Sequence, residues 1–209
     1  MKIGIIGTGN IGANAARLFV RAGHEVALSN SRGPDSLKDL TDELGATAKA
    51  TTIAEAAQFG EVVLVAIPFG KYNTLPADAF RGKIVIDATN YYPARDGNIP
   101  DLDREQTTSS ETIAAYLPGS RIVKAFNTIY YEHLATQGNP SLLINDRRAI
   151  FIAGDDADAK AIVTQLIEAI GFAAVDMGSL HDGRKQQPDT AVYNKIMTAT
   201  EAKKMVKSA

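Results

Sequence analysis

Lys2-Ile3-Gly4-Ile5-Ile6, followed directly by Gly7-Thr8-Gly9-Asn10-Ile11-Gly12, is the stretch around which the chain is arranged. Its first five residues form a short apolar run, β-branched at Ile3, Ile5 and Ile6 and ended by a glycine, which reads as a buried strand. Gly7, Gly9 and Gly12 fit the pattern G-x-G-x-x-G. There the first glycine permits a tight turn, the second lets backbone approach a pyrophosphate, and the third lets helix and strand pack closely. The phosphates would lie over a helix N-terminus, where free N–H groups and the helix dipole favour negative charge.

Glycines punctuate many loops, so the flanks decide the reading. Ile11, Ala15, Leu18, Phe19 and Ala22 recur with helical spacing and place one apolar stripe on a helix that Gly23 stops. A second strand runs from His24 to Ser29. Strand, glycine turn, helix and strand in close succession are the βαβ context that the motif requires. Dinucleotide binding is expected, against the plain alternative of a glycine turn that binds nothing.

Outward from this unit the pattern continues. Ser36 to Leu44 reads as a helix ended by Gly45, Thr47 to Ala50 as a short strand, and Thr52-Ile53-Ala54-Glu55 as a capping box opening a helix that Gly60 closes. Val62 to Ile67 lacks polar alternation, as a strand covered on both faces should. Further strands are expected at Lys83 to Ala88, Arg121 to Phe126, Ala149 to Gly154 and Phe172 to Asp176. Thr108-x-x-Glu111 caps a helix to Leu117, another helix runs from Ala157 to Ile170, and residues 91 to 107 read as a long loop. Gly183 to Pro188 reads as a polar linker, and Thr190 to Val206 as a terminal helix. The expected fold is α/β: a Rossmann-type, doubly wound, mostly parallel sheet with a C-terminal helical extension. Residues 1–180 would be the NADP-binding domain and 181–209 a linker and helix packed on it or on a dimer partner.

Composition narrows the function. With 22 basic and 24 acidic residues the formal charge is −2, so no overall basic field points to nucleic acid or an anionic membrane. The absence of cysteine excludes disulfides, thiolate metal sites and cysteine nucleophiles. No apolar run approaches the length of a membrane helix, and the N-terminus lacks a leader pattern. A cytoplasmic protein is expected.

The second strand of an NAD site usually ends in a carboxylate that accepts from the ribose 2′-hydroxyl. Here Asn30-Ser31-Arg32 stands instead. A serine hydroxyl and a guanidinium would hold a 2′-phosphate that a carboxylate would repel, so NADP(H) is favoured over NAD(H).

Ligands of such sheets lie beyond the carboxyl ends of the strands. Those ends deliver Ile67-Pro68-Phe69, Thr89-Asn90 and Ala125-Phe126-Asn127. Ile67 and Phe69 are placed against the nicotinamide, and the amides of Asn90 and Asn127 against its carboxamide or the acceptor. Lys124 has two readings, an anchor for an anionic acceptor or a guard of the sheet edge. Asp87 is either a catalytic acid or a partner of loop amides. His24, His133 and His181 show no metal-like spacing and no orienting partner, and read as structural. No Tyr-x-x-x-Lys occurs, and no large helical second domain supplies a catalytic lysine. No catalytic side chain and no metal ligand is therefore assigned. A hydride transfer between flat rings fits, because the protein's main task is then to hold two rings in contact.

Several segments together resemble the NADPH:coenzyme F420 oxidoreductase family and the reductase domain of the STEAP ferric reductases: Gly7 to Gly12, Ser31-Arg32, Ala66-Ile67-Pro68, Asp87 to Asn90, Val123 to Ile129, Ala153 to Asp156 and Met177 to Leu180. The resemblance spans about residues 1–180. It implies that Gly7, Thr8, Gly9, Asn10 and Ile11 hold the pyrophosphate side. Asn30, Ser31 and Arg32 would hold the 2′-phosphate, and the segments at 67–69 and 125–127 would face the nicotinamide. It also implies a flavin or coenzyme F420 as co-substrate and a homodimer. The loop after the second strand is one residue longer than in archaeal members, and the loop from Tyr91 to Thr107 is a further departure. No membrane segment follows, so a transmembrane ferric reductase is not expected. The rival readings are reduction of a small carbonyl or imine, with Asp87 or a tyrosine of the 91–92 pair as proton donor, and a sensor that binds NADPH without turnover.

Overall fold

A computed structural model describes residues 1–208. Six strands form one parallel sheet: β1 (Lys2–Ile6), β2 (Glu25–Ser29), β3 (Ala48–Ala50), β4 (Val62–Val65), β5 (Ile84–Asp87) and β6 (Arg121–Lys124), in the order β3-β2-β1-β4-β5-β6. The chain reverses direction across the sheet between β1 and β4, which opens a crevice beyond their carboxyl ends. Alternate residues of each strand serve opposite faces. Val62 and Leu64 join the core beneath one helical layer, and Val63 and Val65 join the other. Both faces are apolar because both are covered, as the unbroken hydrophobic run of β4 required.

The helices are α1 (Asn10–Arg21), α2 (Lys38–Leu44), α3 (Ile53–Phe59), α4 (Pro93–Asp96), α5 (Pro100–Asp103), α6 (Ser109–Tyr116), α7 (Tyr131–Thr136), α8 (Ala157–Ala169) and α9 (Ala199–Ser208). Both expected capping boxes form, Thr52 with Glu55 and Thr108 with Glu111. Most boundaries differ from the sequence reading by one or two residues.

Three segments differ more. Residues 91–107 are not an open loop, since Pro93 and Pro100 each start a one-turn helix, α4 and α5, at a position where a missing N–H costs nothing. The expected strands at 149–154 and 172–176 form a separate parallel pair, β7 (Ala149–Ile152) and β8 (Ala173–Asp176). Among the described residues, this pair is bridged to the main sheet where Lys124 and Ala153 exchange backbone hydrogen bonds at 2.8 and 3.1 Å. The terminal helix starts at Ala199 rather than Thr190. Asp189 and Asn194 adopt left-handed φ values of 66° and 56°, and the Asn194 N–H bonds the Thr128 carbonyl, so the chain is drawn across the sheet instead of coiling. Thr198 and Glu201 then cap α9 reciprocally, a Thr-x-x-Glu signal that the sequence displays. The polar stretch at 183–188 is not a free linker either: a turn of 3-10 helix, His181–Gln186, buries Gly183 and Gln186.

Candidate functional site

Two cavities meet over the carboxyl ends of the central strands. The larger, about 740 Å³, is bordered by Gly7, Thr8 and Gly9 and by the loop Asn30-Ser31-Arg32. The smaller, about 350 Å³, begins at Gly9, Asn10 and Ile11 and runs past Thr89, Asn90, Phe126 and Asn127. Gly9, Ala66, Ile67 and Pro68 border both, so the two are one crevice bent around the glycine turn.

The three motif glycines have different reasons to be glycine. Gly7 has φ +94°, and a Cβ there would lie 2.4 Å from the Ala66 carbonyl oxygen. At Gly12 a Cβ would lie 1.8 Å from the Gly7 carbonyl oxygen, so helix and turn could not close on each other. At Gly9 the backbone is ordinary extended chain and a Cβ would meet no protein atom within 4 Å. The protein's own packing explains two of them; the third faces open crevice. Beside it α1 begins with no side-chain cap and no acidic residue in its first turn, which leaves N–H groups and the positive end of the dipole to an anion.

At the far end of the larger cavity, Asn30 organises the loop. Its amide oxygen accepts from the Arg32 N–H at 2.8 Å, and its amide nitrogen donates to Ser36 at 2.9 Å and Thr8 at 3.3 Å. This presents Ser31 and Arg32, whose side chains are exposed and make no hydrogen bond or ion pair among the described residues. Lys71, which the sequence reading passed over, borders the same cavity and is likewise unpaired. No motif marks it, because the turn after Pro68 carries it there.

The smaller cavity holds two buried polar atoms without partners, Thr89 Oγ1 and Asn127 Oδ1. Asn127 Nδ2 donates to Asn90 Oδ1 at 3.1 Å and to the Gln186 carbonyl at 2.6 Å, while Asn90 Nδ2 donates to the Asn127 carbonyl at 2.9 Å. The two amides thus lock the ends of β5 and β6 together and leave Asn127 Oδ1 buried without a partner. Phe126, with φ +64°, turns the chain there and sends its ring into the core against Phe19. Unpaired buried polar groups are costly, and both this pair and the open face of Gly9 suit a carboxamide and a pyrophosphate, so the residues present fit a nicotinamide dinucleotide.

Other expectations are corrected. Phe69 is fully buried against Tyr72 and Tyr91 and cannot face a nicotinamide. Ala125 is buried and borders neither cavity. Lys124 is neither a crevice anchor nor an edge guard: 1% exposed, it donates to Asp87 at 3.1 Å, the Thr89 carbonyl at 2.7 Å and Ser109 at 3.3 Å. Asp87 in turn accepts from the Thr89 N–H at 2.9 Å and Ser110 at 2.6 Å. This sealed pair positions Thr89, and Asp87 is not an exposed acid. His181 does have a partner, Glu111, at 3.0 Å. Among the described residues no cluster of three or more His, Asp or Glu could hold a metal ion, and no helix is long and apolar enough to cross a membrane.

Of the tyrosine wall of the smaller cavity, sequence reasoning named only the 91–92 pair, as a rival proton donor, and missed the rest. Tyr92, Tyr130, Tyr131 and Tyr193 line it with Arg95 and Asn194. Tyr193 arrives from the C-terminal segment, and its hydroxyl meets that of Tyr92 across 101 residues of chain. Burial and that contact hold the Tyr193 phenol well above the usual range. Bonds to Tyr130 and Glu132 push Tyr131 up to about 12.

Comparison with known proteins gives a consistent set. The family described as NADP oxidoreductase, coenzyme F420-dependent, matches residues 2–91. Metalloreductase STEAP3 of Rattus norvegicus is 32% identical over 186 residues, covering 88% of this chain and 35% of that protein. The chain therefore spans about a third of the curated relatives it matches. Among solved structures, the hypothetical protein SMa0349 from Sinorhizobium meliloti is 32% identical with a TM-score of 0.82, covering 95% of both chains. A candidate F420-dependent NADP-reductase from Arthrobacter sp. FB24 is 26% identical with a TM-score of 0.73, covering 88% of this chain and 87% of that one.

Proposed function

We propose that the chain, similar over residues 2–91 to the coenzyme F420-dependent NADP oxidoreductases, is an NADP-dependent oxidoreductase that moves hydride between NADP(H) and a deazaflavin (coenzyme F420) or flavin ring. The observation that carries this reading is the bent crevice, with unpaired cations at one end, open Gly9 at the turn and tyrosines at the other. Ser31, Arg32 and Lys71 would hold the 2′-phosphate, with Gly7, Thr8 and Asn30 shaping that end. The N–H groups at Asn10 and Ile11 would hold the pyrophosphate. Ile67 and Pro68 would back the nicotinamide, while Thr89 Oγ1 and Asn127 Oδ1 would bond its carboxamide. When bound, the coenzyme supplies the hydride; the tyrosine wall lays a flat acceptor against it and excludes water, and orientation is the main catalytic contribution. Residues 1–180 act as the nucleotide-binding unit, Tyr193 and Asn194 of the C-terminal segment complete the acceptor end, and a cytoplasmic homodimer is part of the same proposal.

Stopped-flow oxidation of NADPH against coenzyme F420, FMN and riboflavin tests it. Turnover with at least one ring is expected. Tight NADPH binding without turnover on any acceptor would replace the enzyme with a sensor, and no NADPH binding by calorimetry at millimolar concentration would end the redox reading.

A further inference from the structure

Transfer of hydride to a flavin-type ring spreads the arriving charge over the ring and requires no built proton donor. The smaller cavity nevertheless contains one. Tyr92 and Tyr193 meet hydroxyl to hydroxyl at its wall, so one of the two protons is spent within the pair and the other is free for a ligand. Of the other candidates, Tyr130 is bonded to Tyr131, and the rest are engaged elsewhere. Asp87 is sealed behind Thr89. The Tyr91 hydroxyl is held by Asp103, the Gly97 carbonyl and the Ile99 N–H, and the Tyr131 hydroxyl by Glu132. Either hydroxyl can donate within the pair, and it is the Arg95 guanidinium beside Tyr92, together with the burial that disfavours loss of the Tyr193 proton, that marks Tyr92 as the one to donate outward. The Arg95 guanidinium lies 4.9 Å from the centre of the Tyr92 ring, where it stabilises a phenolate. Asp96 beside Arg95 and Asp189 near Tyr193 are the acidic groups that oppose this.

Charge at this end also selects the ligand. Arg95 is the single cationic side chain among the described residues lining the smaller cavity, and Asp96 takes its Nε and Nη2 at 2.8 Å each. That cation is thus paired, in contrast to Arg32 and Lys71 at the other end. The walls are aromatic and suit a flat, uncharged ring.

We propose that this site reduces neutral, flat conjugated carbonyl compounds of the quinone type, with Tyr92 delivering a proton to the acceptor oxygen and Tyr193 hydrogen-bonding the phenolate left behind. The proposal rests on the reading that the crevice binds NADPH. One NADPH, one quinone and one proton give NADP⁺ and a hydroquinone. The nicotinamide C–H bond breaks, and its hydrogen passes with the electron pair to the conjugated carbonyl system. The Tyr92 O–H bond breaks as the new O–H bond forms, and Tyr92 regains a proton from solvent.

The test compares wild type, Tyr92→Phe and Tyr193→Phe for NADPH binding by calorimetry, for turnover of menadione and riboflavin, and for menadione binding to the NADP⁺-loaded protein. Expected results are menadione turnover with a solvent deuterium isotope effect, a loss of about 100-fold or more in kcat for Tyr92→Phe, and a smaller loss of about 5-fold for Tyr193→Phe. Menadione binding should weaken in Tyr92→Phe while the Kd for NADPH holds. If Tyr92→Phe does not fold, Tyr193→Phe and the wild-type isotope effect decide. Riboflavin reduction without menadione reduction, or both variants turning over menadione at the wild-type rate, would overturn the proposal and leave the hydride-transfer reading standing. Failure of NADPH to bind would remove both.

Discussion

A methyl group placed at Gly9, and separately at Gly12, distinguishes a glycine kept for a ligand from one kept for packing. At Gly9, φ is −73° and ψ is −165°, which alanine adopts freely, and no protein atom lies within 4 Å of the new Cβ. Alanine restricts the unfolded chain, worth about 0.4–1 kcal/mol in favour of folding, and is a poorer N-cap than glycine by a comparable amount. The net change in stability should be within about 0.5 kcal/mol. The same methyl group occupies crevice space where a pyrophosphate would accept from backbone N–H groups. Losing one charge-assisted hydrogen bond costs about 1.5–3 kcal/mol, so the Kd for NADPH should rise by about 10- to 150-fold. Gly12→Ala reverses the pattern. Its Cβ would sit 1.8 Å from a backbone oxygen, which no rotamer relieves, and displacing α1 from the turn should cost at least about 1–3 kcal/mol of stability. Urea denaturation and fluorescence titration with NADPH measure the two effects separately. Gly9→Ala binding NADPH within twofold of wild type, or unfolding as readily as Gly12→Ala, would refute the reasoning.

Further outcomes follow from other parts of the structure. Arg32→Ala should weaken NADPH binding by about 1.5–3 kcal/mol, the range for a charged hydrogen bond, and leave NADH nearly unchanged; equal loss for both by calorimetry would discard the 2′-phosphate assignment. Lys124→Met should destabilise the protein by about 3–5 kcal/mol, because Asp87 is then left buried without its cation. Combining it with Asp87→Asn should recover part of that loss in urea denaturation, and strict additivity would contradict a coupled pair. The Arg121 guanidinium and the Ala159 N–H hold the Asp156 carboxyl below its ordinary value of 3.8. A carboxylate with a depressed folded-state pKa stabilises above its unfolded value and loses that contribution as pH falls. Wild type should therefore exceed Asp156→Asn in stability at neutral pH, with the difference shrinking below about pH 4. A difference that grows on acidification would sink this assignment.

How much of the fold could be read in advance depended on the range of the interactions. The glycine turn, the two capping boxes at Thr52–Glu55 and Thr108–Glu111, and the doubly apolar run of β4 are each specified by residues within a few positions of one another. They appeared almost where expected. Boundaries slipped by a residue or two because helix and strand ends are set by neighbouring elements. The terminal helix was misjudged by nine residues, Thr190 against Ala199, because a bond from Asn194 to Thr128 outweighs local helical preference.

The amino-acid sequence by itself determined the βαβ nucleus and the parallel α/β architecture, which rest on short-range periodicity and motif spacing, and its lack of cysteine excluded thiol chemistry. The tertiary structure alone decided that Phe69 is core, that Lys124 is sealed against Asp87 from 37 residues away, that Lys71 joins Arg32, and that Tyr193 closes on Tyr92. Burial and pairing of this kind are properties of which chain segments share space. No local pattern encodes them, because the partners meet only once the whole sheet has assembled and the C-terminal segment has been drawn across its edge.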